Sequence, residues 1–193
     1  MKALLLLAAI AALPAAAAAQ AHANLPAAEV APAGDSLYLL GGRWENQDGA
    51  AIDLASFAGR PVVISMFYAT CPHACPMLIT DIKRIEQALP PAVRERVQVV
   101  LVTFDPVRDT PEKMKALLEA HQVDVGRWSM LRADPSKVQE LAALLGIKYR
   151  FAKDGAIHHS TVIALLDEEG VVVERIDGLR RPADPLIEKL TGR

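Results

Sequence analysis

The sequence predicts an α/β fold around one buried sheet, and three observations predict it. Two runs of branched apolar residues, PVVISMFY from Pro61 to Tyr68 and VQVVLVTF from Val97 to Phe104, read as strands buried on both faces. Between them, Met77, Leu78, Ile82, Ile85 and Leu89 repeat at helical spacing. Nearer the C-terminus, Asp154-Gly155 and Glu169-Gly170 separate shorter apolar runs, the mark of antiparallel hairpins.

Residues 1–23 start with Lys2, run through apolar residues to Leu13 and end in AAAAAQAHA, which reads as a secretory signal peptide with small residues at the cleavage positions. The expected location is the periplasm. The competing reading is an uncleaved inner-membrane anchor, because Ala3 to Ala19 reaches the lower limit of about 17–25 residues for a spanning helix, although Pro14 interrupts it. Residues 24–35, rich in Pro, Ala and Gly, form a flexible lead-in. Residues 36–193 are then one domain, long enough for a full core and too short for two.

Within that domain, SLYLLGGRWENQDGAAIDLASF alternates around Gly41-Gly42 and Asp48-Gly49, which predicts short strands joined by tight turns, an N-terminal β-hairpin extension. Pro76 suits the first turn of a helix that Pro90-Pro91 stops. After the second buried strand, Thr110 and Pro111 open another helix, with Thr110 as N-cap. Trp128 to Arg132 is a third strand, and Pro135 to Gly146 a helix ended by glycine. The two hairpins supply C-terminal antiparallel strands, and Pro182 to Leu190 a closing helix. A buried strand, a thiol loop, a helix, a buried strand and an antiparallel pair together make the thioredoxin-like plan.

Composition narrows the function. Twenty-one Lys and Arg against 23 Asp and Glu leave a net charge of −2 with no basic cluster, which excludes nucleic acid as an expected partner. The only two cysteines, Cys71 and Cys75, lie four apart in FYATCPHACP. On a helical turn their Cβ atoms would be about 5–6 Å apart, close enough to chelate one metal ion or close a small disulfide. Unpaired N–H groups at the helix start favour thiolate over thiol at both positions. In an oxidising compartment such a pair must be kept reduced, so a thioredoxin-like reductant is an expected partner.

A third ligand must come from elsewhere, and five histidines are candidates. His121 reads as a helix-end residue favoured by the dipole. His73 lies between the cysteines. His158 and His159 follow the Asp154-Gly155 turn, and neighbours on a strand face opposite sides, so one could reach the thiols while the other could not. Spacing alone leaves the choice open. Two thiolates and an imidazole suit copper better than zinc, which in structural sites wants four protein ligands. Asp105 and Asp109 read chiefly as turn and helix-cap residues, with support of the site or partner docking as the other reading.

Three segments, FYATCPHACP, VTFDPVRDTP and HHSTVIALLDEEG, in this order and at these separations, resemble the SCO/SenC family of copper chaperones. The family's hallmarks are a CPxxCP loop, a DPxRDTP segment and a late His-Ser. The resemblance spans about residue 37 to the C-terminus. It implies a thioredoxin-like fold and a site for Cu(I), Cu(II) or both made of Cys71, Cys75 and His159, the histidine before Ser160. It also implies assembly of the dinuclear copper centre of cytochrome c oxidase subunit II, by copper transfer, by reduction of that subunit's cysteine pair, or both, with another periplasmic copper chaperone as donor. Such metallochaperones are not turnover enzymes. Two departures stand out: many relatives carry a membrane anchor, and many have an acidic residue where this chain has His158, which could act as a substitute ligand or support the ligand beside it.

Two rival functions use the same residues. A thiol-disulfide oxidoreductase or peroxidase would use Cys71 as nucleophile and Cys75 to resolve it, but the spacing is not CxxC and no peroxide pocket is marked. A copper sensor or store would have the same ligands and keep its metal.

Overall fold

The strands and helices follow one another along residues 34–71 and 74–192, the part of the chain that the computed structural model describes. The signal peptide, nearly all of the lead-in and His73 lie outside the described residues. In chain order the elements are β1 (Trp44–Asn46), β2 (Ala51–Ile52), β3 (Val62–Phe67), α1 (Ala74–Ala88), α2 (Pro91–Arg94), β4 (Gln98–Thr103), α3 (Pro111–Ala120) and β5 (Trp128–Ala133). They continue with α4 (Pro135–Leu144), β6 (Tyr149–Phe151), β7 (Ile157–His159), β8 (Val162–Leu166), β9 (Val172–Asp177) and α5 (Asp184–Thr191).

Seven strands form one sheet in the order β2-β1-β5-β4-β3-β8-β9. At its centre β3 and β4 are buried along their whole length, as their unbroken apolar runs predict, and they pair in parallel from Val62 opposite Gln98 to Phe67 opposite Thr103. The one polar side chain inside β3, Ser65, is fully buried and donates to the Val162 carbonyl of β8 at 2.6 Å, so its hydroxyl is satisfied. The apolar stripe of α1, with Leu78, Ile79, Ile82 and Ile85 buried, joins the single core, while α3 and α4 pack on β5 and α5 on β9. This is the thioredoxin-like arrangement that the sequence predicts.

Three local differences have physical causes. The hairpin around Asp48-Gly49 forms as β1 and β2, but the predicted strand before Gly41-Gly42 is instead a short 3-10 turn at Leu37–Leu39. Ser36 closes that turn by accepting from the Tyr38 N–H, and its hydroxyl and the Leu37 N–H reach the Glu169 and Gly170 carbonyls of the β8–β9 turn. Tyr38 packs so closely on Gly170 that an added Cβ would lie 2.5 Å from its ring, and Gly170 has φ +86°. Second, Pro91 starts the extra helical turn α2, as proline at a first helical position does. Third, Thr110 occupies the N-cap of α3 without making a side-chain cap bond.

Candidate metal centre

Strand pairing decides where the predicted site residues meet. Because β3 and β4 are parallel, the loops that begin at Tyr68 and Phe104 leave the same edge of the sheet. β8 is antiparallel to β3, with Val62 opposite Leu166 and Ile64 opposite Ala164, and continuing that register sets the residues just before β8 beside the end of β3. His159, last in β7, arrives there.

Neither cysteine is in a disulfide and both are buried, Cys71 9% and Cys75 2% exposed. Cys75 lies in the first turn of α1; its Sγ donates to the Tyr68 carbonyl at 3.2 Å and faces the Tyr68 N–H at 3.4 Å. The two thiols are hydrogen-bonded to each other. Burial pushes the Cys75 thiol far up, the Tyr68 backbone contact opposes this, and the negative charges of Cys71 and Asp109 add to it. The expectation that the helix start makes both thiols thiolates is therefore corrected for Cys75. At a nearly sealed position, loss of water outweighs the dipole, and the metal-free Cys75 is a protonated thiol.

Tyr68 connects the thiols to the histidine strand. Its phenol is bonded to the Cys71 thiol and accepts from the Ile157 N–H of β7. Burial first, then the contact with Cys71, pushes it up to about 12, so it stays protonated and able to donate. Its ring meets the His159 ring edge-on, centroids 5.8 Å apart. On the other side Phe104 lies 4.8 Å from His159 and 4.9 Å from Tyr149.

Strand alternation separates the histidine pair. His159 shares the inward face of the β6–β7 hairpin with Ile157, opposite Tyr149, whereas His158 is exposed opposite Arg150. The His159 Nδ1 lies 3.0 Å from the Ser160 carbonyl. A carbonyl only accepts, so Nδ1 is the donor and Nε2 is the nitrogen left to bind a metal, the arrangement that a metal-binding histidine uses when its other nitrogen is held by backbone. Among the described residues no group of three or more His, Cys, Asp and Glu side chains is close enough to share a metal ion. The fold thus assembles the sulfur pair and brings the imidazole to the same sheet edge, against the tyrosine that touches the sulfurs. His121 is elsewhere, at the C-cap of α3, where burial and then Lys83 push its imidazole down; it is not a cation held by the dipole.

Sequence reasoning missed part of the site. Asp109 is fully buried and does not cap α3 with its side chain; its Oδ2 accepts from the Ala69 N–H at 2.9 Å and from the Thr103 hydroxyl, while its Oδ1 has no partner among the described residues. Burial pushes its carboxyl up, against those two hydrogen bonds. Asp105 does make the predicted turn, accepting from the Arg108 N–H at 3.3 Å and holding the Arg108 guanidinium, which also donates to the Gly155 carbonyl at 3.1 Å. The DPVRDTP segment carried a signal for this, since its charged residues exceed what a turn and a cap require.

The SCO1/SenC family profile matches residues 38–193. The chain belongs to the SCO1/SenC family. A protein of Stutzerimonas stutzeri named for copper binding is 27% identical over 154 residues, 74% of each chain. Among solved folds, Bradyrhizobium japonicum ScoI with copper bound is 26% identical with a TM-score of 0.63, over 78% of this chain and 96% of that one. BsSco, described as a member of the Sco family of cytochrome c oxidase assembly proteins with a disulfide switch, has a TM-score of 0.67 at 21% identity, over 78% of this chain and 89% of that one.

Proposed function

We propose that this SCO1/SenC protein is an exported copper chaperone whose cargo is held by Cys71, Cys75 and His159. The observation that carries the reading is a reduced pair of thiols, hydrogen-bonded to each other, with the His159 imidazole presented at the same edge of the sheet. Soft sulfur donors suit Cu(I), and an imidazole added to them also suits Cu(II). Binding needs Cys75 to give up its proton and the His159 side chain to turn its Nε2 from the Tyr68 and Phe104 rings toward the sulfurs.

The copper-bound state of Bradyrhizobium japonicum ScoI supports copper as the cargo. Membership of the SCO1/SenC family supports cytochrome c oxidase as the destination, and the resemblance of the three motif segments points to the dinuclear copper centre of its subunit II as the acceptor. A periplasmic setting agrees with the N-terminal sequence and requires another copper chaperone as donor and a thioredoxin-like reductant.

The test is an anaerobic Cu(I) titration of the reduced mature protein. One Cu(I) per chain is expected; Cys71→Ala or Cys75→Ala abolishes tight binding, and His159→Ala weakens it far more than His158→Ala. Equal losses at the two histidines would remove His159 from the ligand set.

The difference in burial between the cysteines favours a second activity at the same atoms. Cys71, the more exposed, attacks an acceptor disulfide as thiolate, one acceptor sulfur leaves as thiol, and Cys75 then displaces the other, leaving a Cys71–Cys75 disulfide and two acceptor thiols. The reductant resets the pair. Incubation with an oxidised subunit II fragment would show acceptor thiols appearing in step with loss of Cys71 and Cys75 thiols; no such exchange leaves copper transfer alone.

A further inference from the structure

Two separate parts of the chain must act together at the centre: the thiol loop after β3 and the β6–β7 hairpin that carries His159. One short segment touches both. From Asp105 to Pro111, the chain places Asp109 under the thiol loop, where its carboxylate takes the Ala69 N–H, and Arg108 against the hairpin turn, where its guanidinium takes the Gly155 carbonyl. The two grips are not independent. Asp105 holds the Arg108 guanidinium, and the Asp105 N–H in turn donates to Thr103 Oγ1 at 2.9 Å, the same hydroxyl that bonds Asp109. The chain of contacts therefore runs from Ala69 through Asp109, Thr103, Asp105 and Arg108 to Gly155.

The hairpin needs such a hold. Its strands are only three residues each, it forms no ladder with the seven-stranded sheet, and Arg150, Phe151 and His158 on it are exposed. A two-stranded hairpin is marginal by itself. Its base is tied by the Ser160 N–H to the Lys148 carbonyl and its tip by Arg108.

We propose that the Asp105–Pro111 segment is a bracket that fixes the histidine hairpin relative to the thiol loop, with Arg108 as the positioning residue for His159. The inference rests on the copper reading above. A guanidinium suits this task because its planar fork serves a carboxylate and a carbonyl at once, which a single ammonium does not. Releasing Gly155 leaves the sulfur pair untouched and lets the hairpin move away, so copper loses the imidazole and keeps the thiolates.

The test is a double-mutant cycle between Arg108 and His159 on the reduced mature protein, joined to amide exchange of the metal-free form. Arg108→Met is expected to speed exchange at Ile157–Ser160 about tenfold while leaving β3 and β4 unchanged, the pattern of local opening. It should weaken Cu(I) binding about 10–100-fold, as loss of a group that orients a ligand does. In the His159→Ala background the same substitution should cost less than about threefold, because the ligand it positions is already gone. Arg108→Lys, which keeps charge and stem, should fall between and serves if the methionine variant folds poorly. Equal losses in both backgrounds, or unchanged hairpin exchange, would overturn the bracket. If His159→Ala binds copper like the natural protein, the ligand assignment falls, and amide exchange still judges the bracket separately.

Discussion

The backbone N–H of Ala69 donates to Oδ2 of Asp109 at 2.9 Å, joining the thiol loop to a carboxylate 40 residues away in sequence. Asp109→Ala leaves that amide and the buried Thr103 hydroxyl without their acceptor. Each orphaned buried group costs about 1–3 kcal/mol, so a loss of that order is expected in urea unfolding. Alkylation of Cys71 should quicken with it, because the loop carrying this thiol loses its anchor.

Asp109 also gives stability a pH dependence of definite sign. Its carboxyl is raised above the ordinary 3.8 by burial, so between 3.8 and that raised value the folded chain holds a proton that the unfolded chain has lost. Stability from this group therefore falls as pH rises through the window and is highest below it. Asp109→Asn should flatten that slope while keeping an acceptor for Ala69. Urea midpoints across the acidic range check it; an unchanged slope would mean another group is responsible.

The Cys75 thiol leads to a prediction about copper. Since it is protonated in the metal-free protein, copper binding must release its proton, and Cu(I) affinity should rise with pH through about pH 6 to 8. Calorimetry in buffers of different ionisation heat counts the protons released. Cys75→Ser, which removes the thiol, should abolish both tight binding and this release. Above the ordinary thiol value of 9.0, the unfolded chain ionises Cys75 first, so the metal-free protein loses stability as pH rises there.

The central fold was legible because its signals are local and redundant. The runs at Val62–Phe67 and Val97–Phe104 are too apolar for any place but a sheet centre, and Asp154-Gly155 and Glu169-Gly170 mark real hairpin turns. The 3-10 turn at Leu37–Leu39 was not legible, because it depends on Ser36 and Leu37 bonding to the β8–β9 turn more than 130 residues away. At the site, alternation along β7 anticipated that only one of His158 and His159 faces inward. The state of Cys75 was misread because helix position is visible in sequence and burial is not. Asp109 shows the same limit: a helix-start pattern hid a carboxylate that the fold turns under the thiol loop.

Tyr68 separates ring packing from hydrogen bonding. Tyr68→Phe keeps the edge-on contact with His159 and removes the hydroxyl between the Cys71 thiol and the Ile157 N–H. A stability loss of about 0.5–1.5 kcal/mol is expected, the net worth of such a bond. Cys71 should then alkylate faster at constant pH, with near-native circular dichroism. Unchanged alkylation would show that the phenol does not restrain this thiol.

Glu86 tests whether core electrostatics and the copper site are separable. This buried carboxylate accepts from the Trp128 indole N–H at 3.0 Å and from Arg127, whose guanidinium also donates to the Arg94 carbonyl at 3.2 Å. Glu86→Ala strands the buried indole donor and takes one of its two carboxylates from Arg127, which keeps Asp124, so a loss of about 1–3 kcal/mol is expected. Glu86→Gln keeps an acceptor for Trp128 and loses only the charge, and should cost less. Glu86 lies eleven positions after Cys75 in α1, about 16 Å along the helix axis. Cu(I) stoichiometry and affinity should therefore stay unchanged in the glutamine variant at a temperature where it is folded. Weakened binding there would mean that the far end of α1 sets the thiol pair, and that the copper site depends on the whole helix and not only on its first turn.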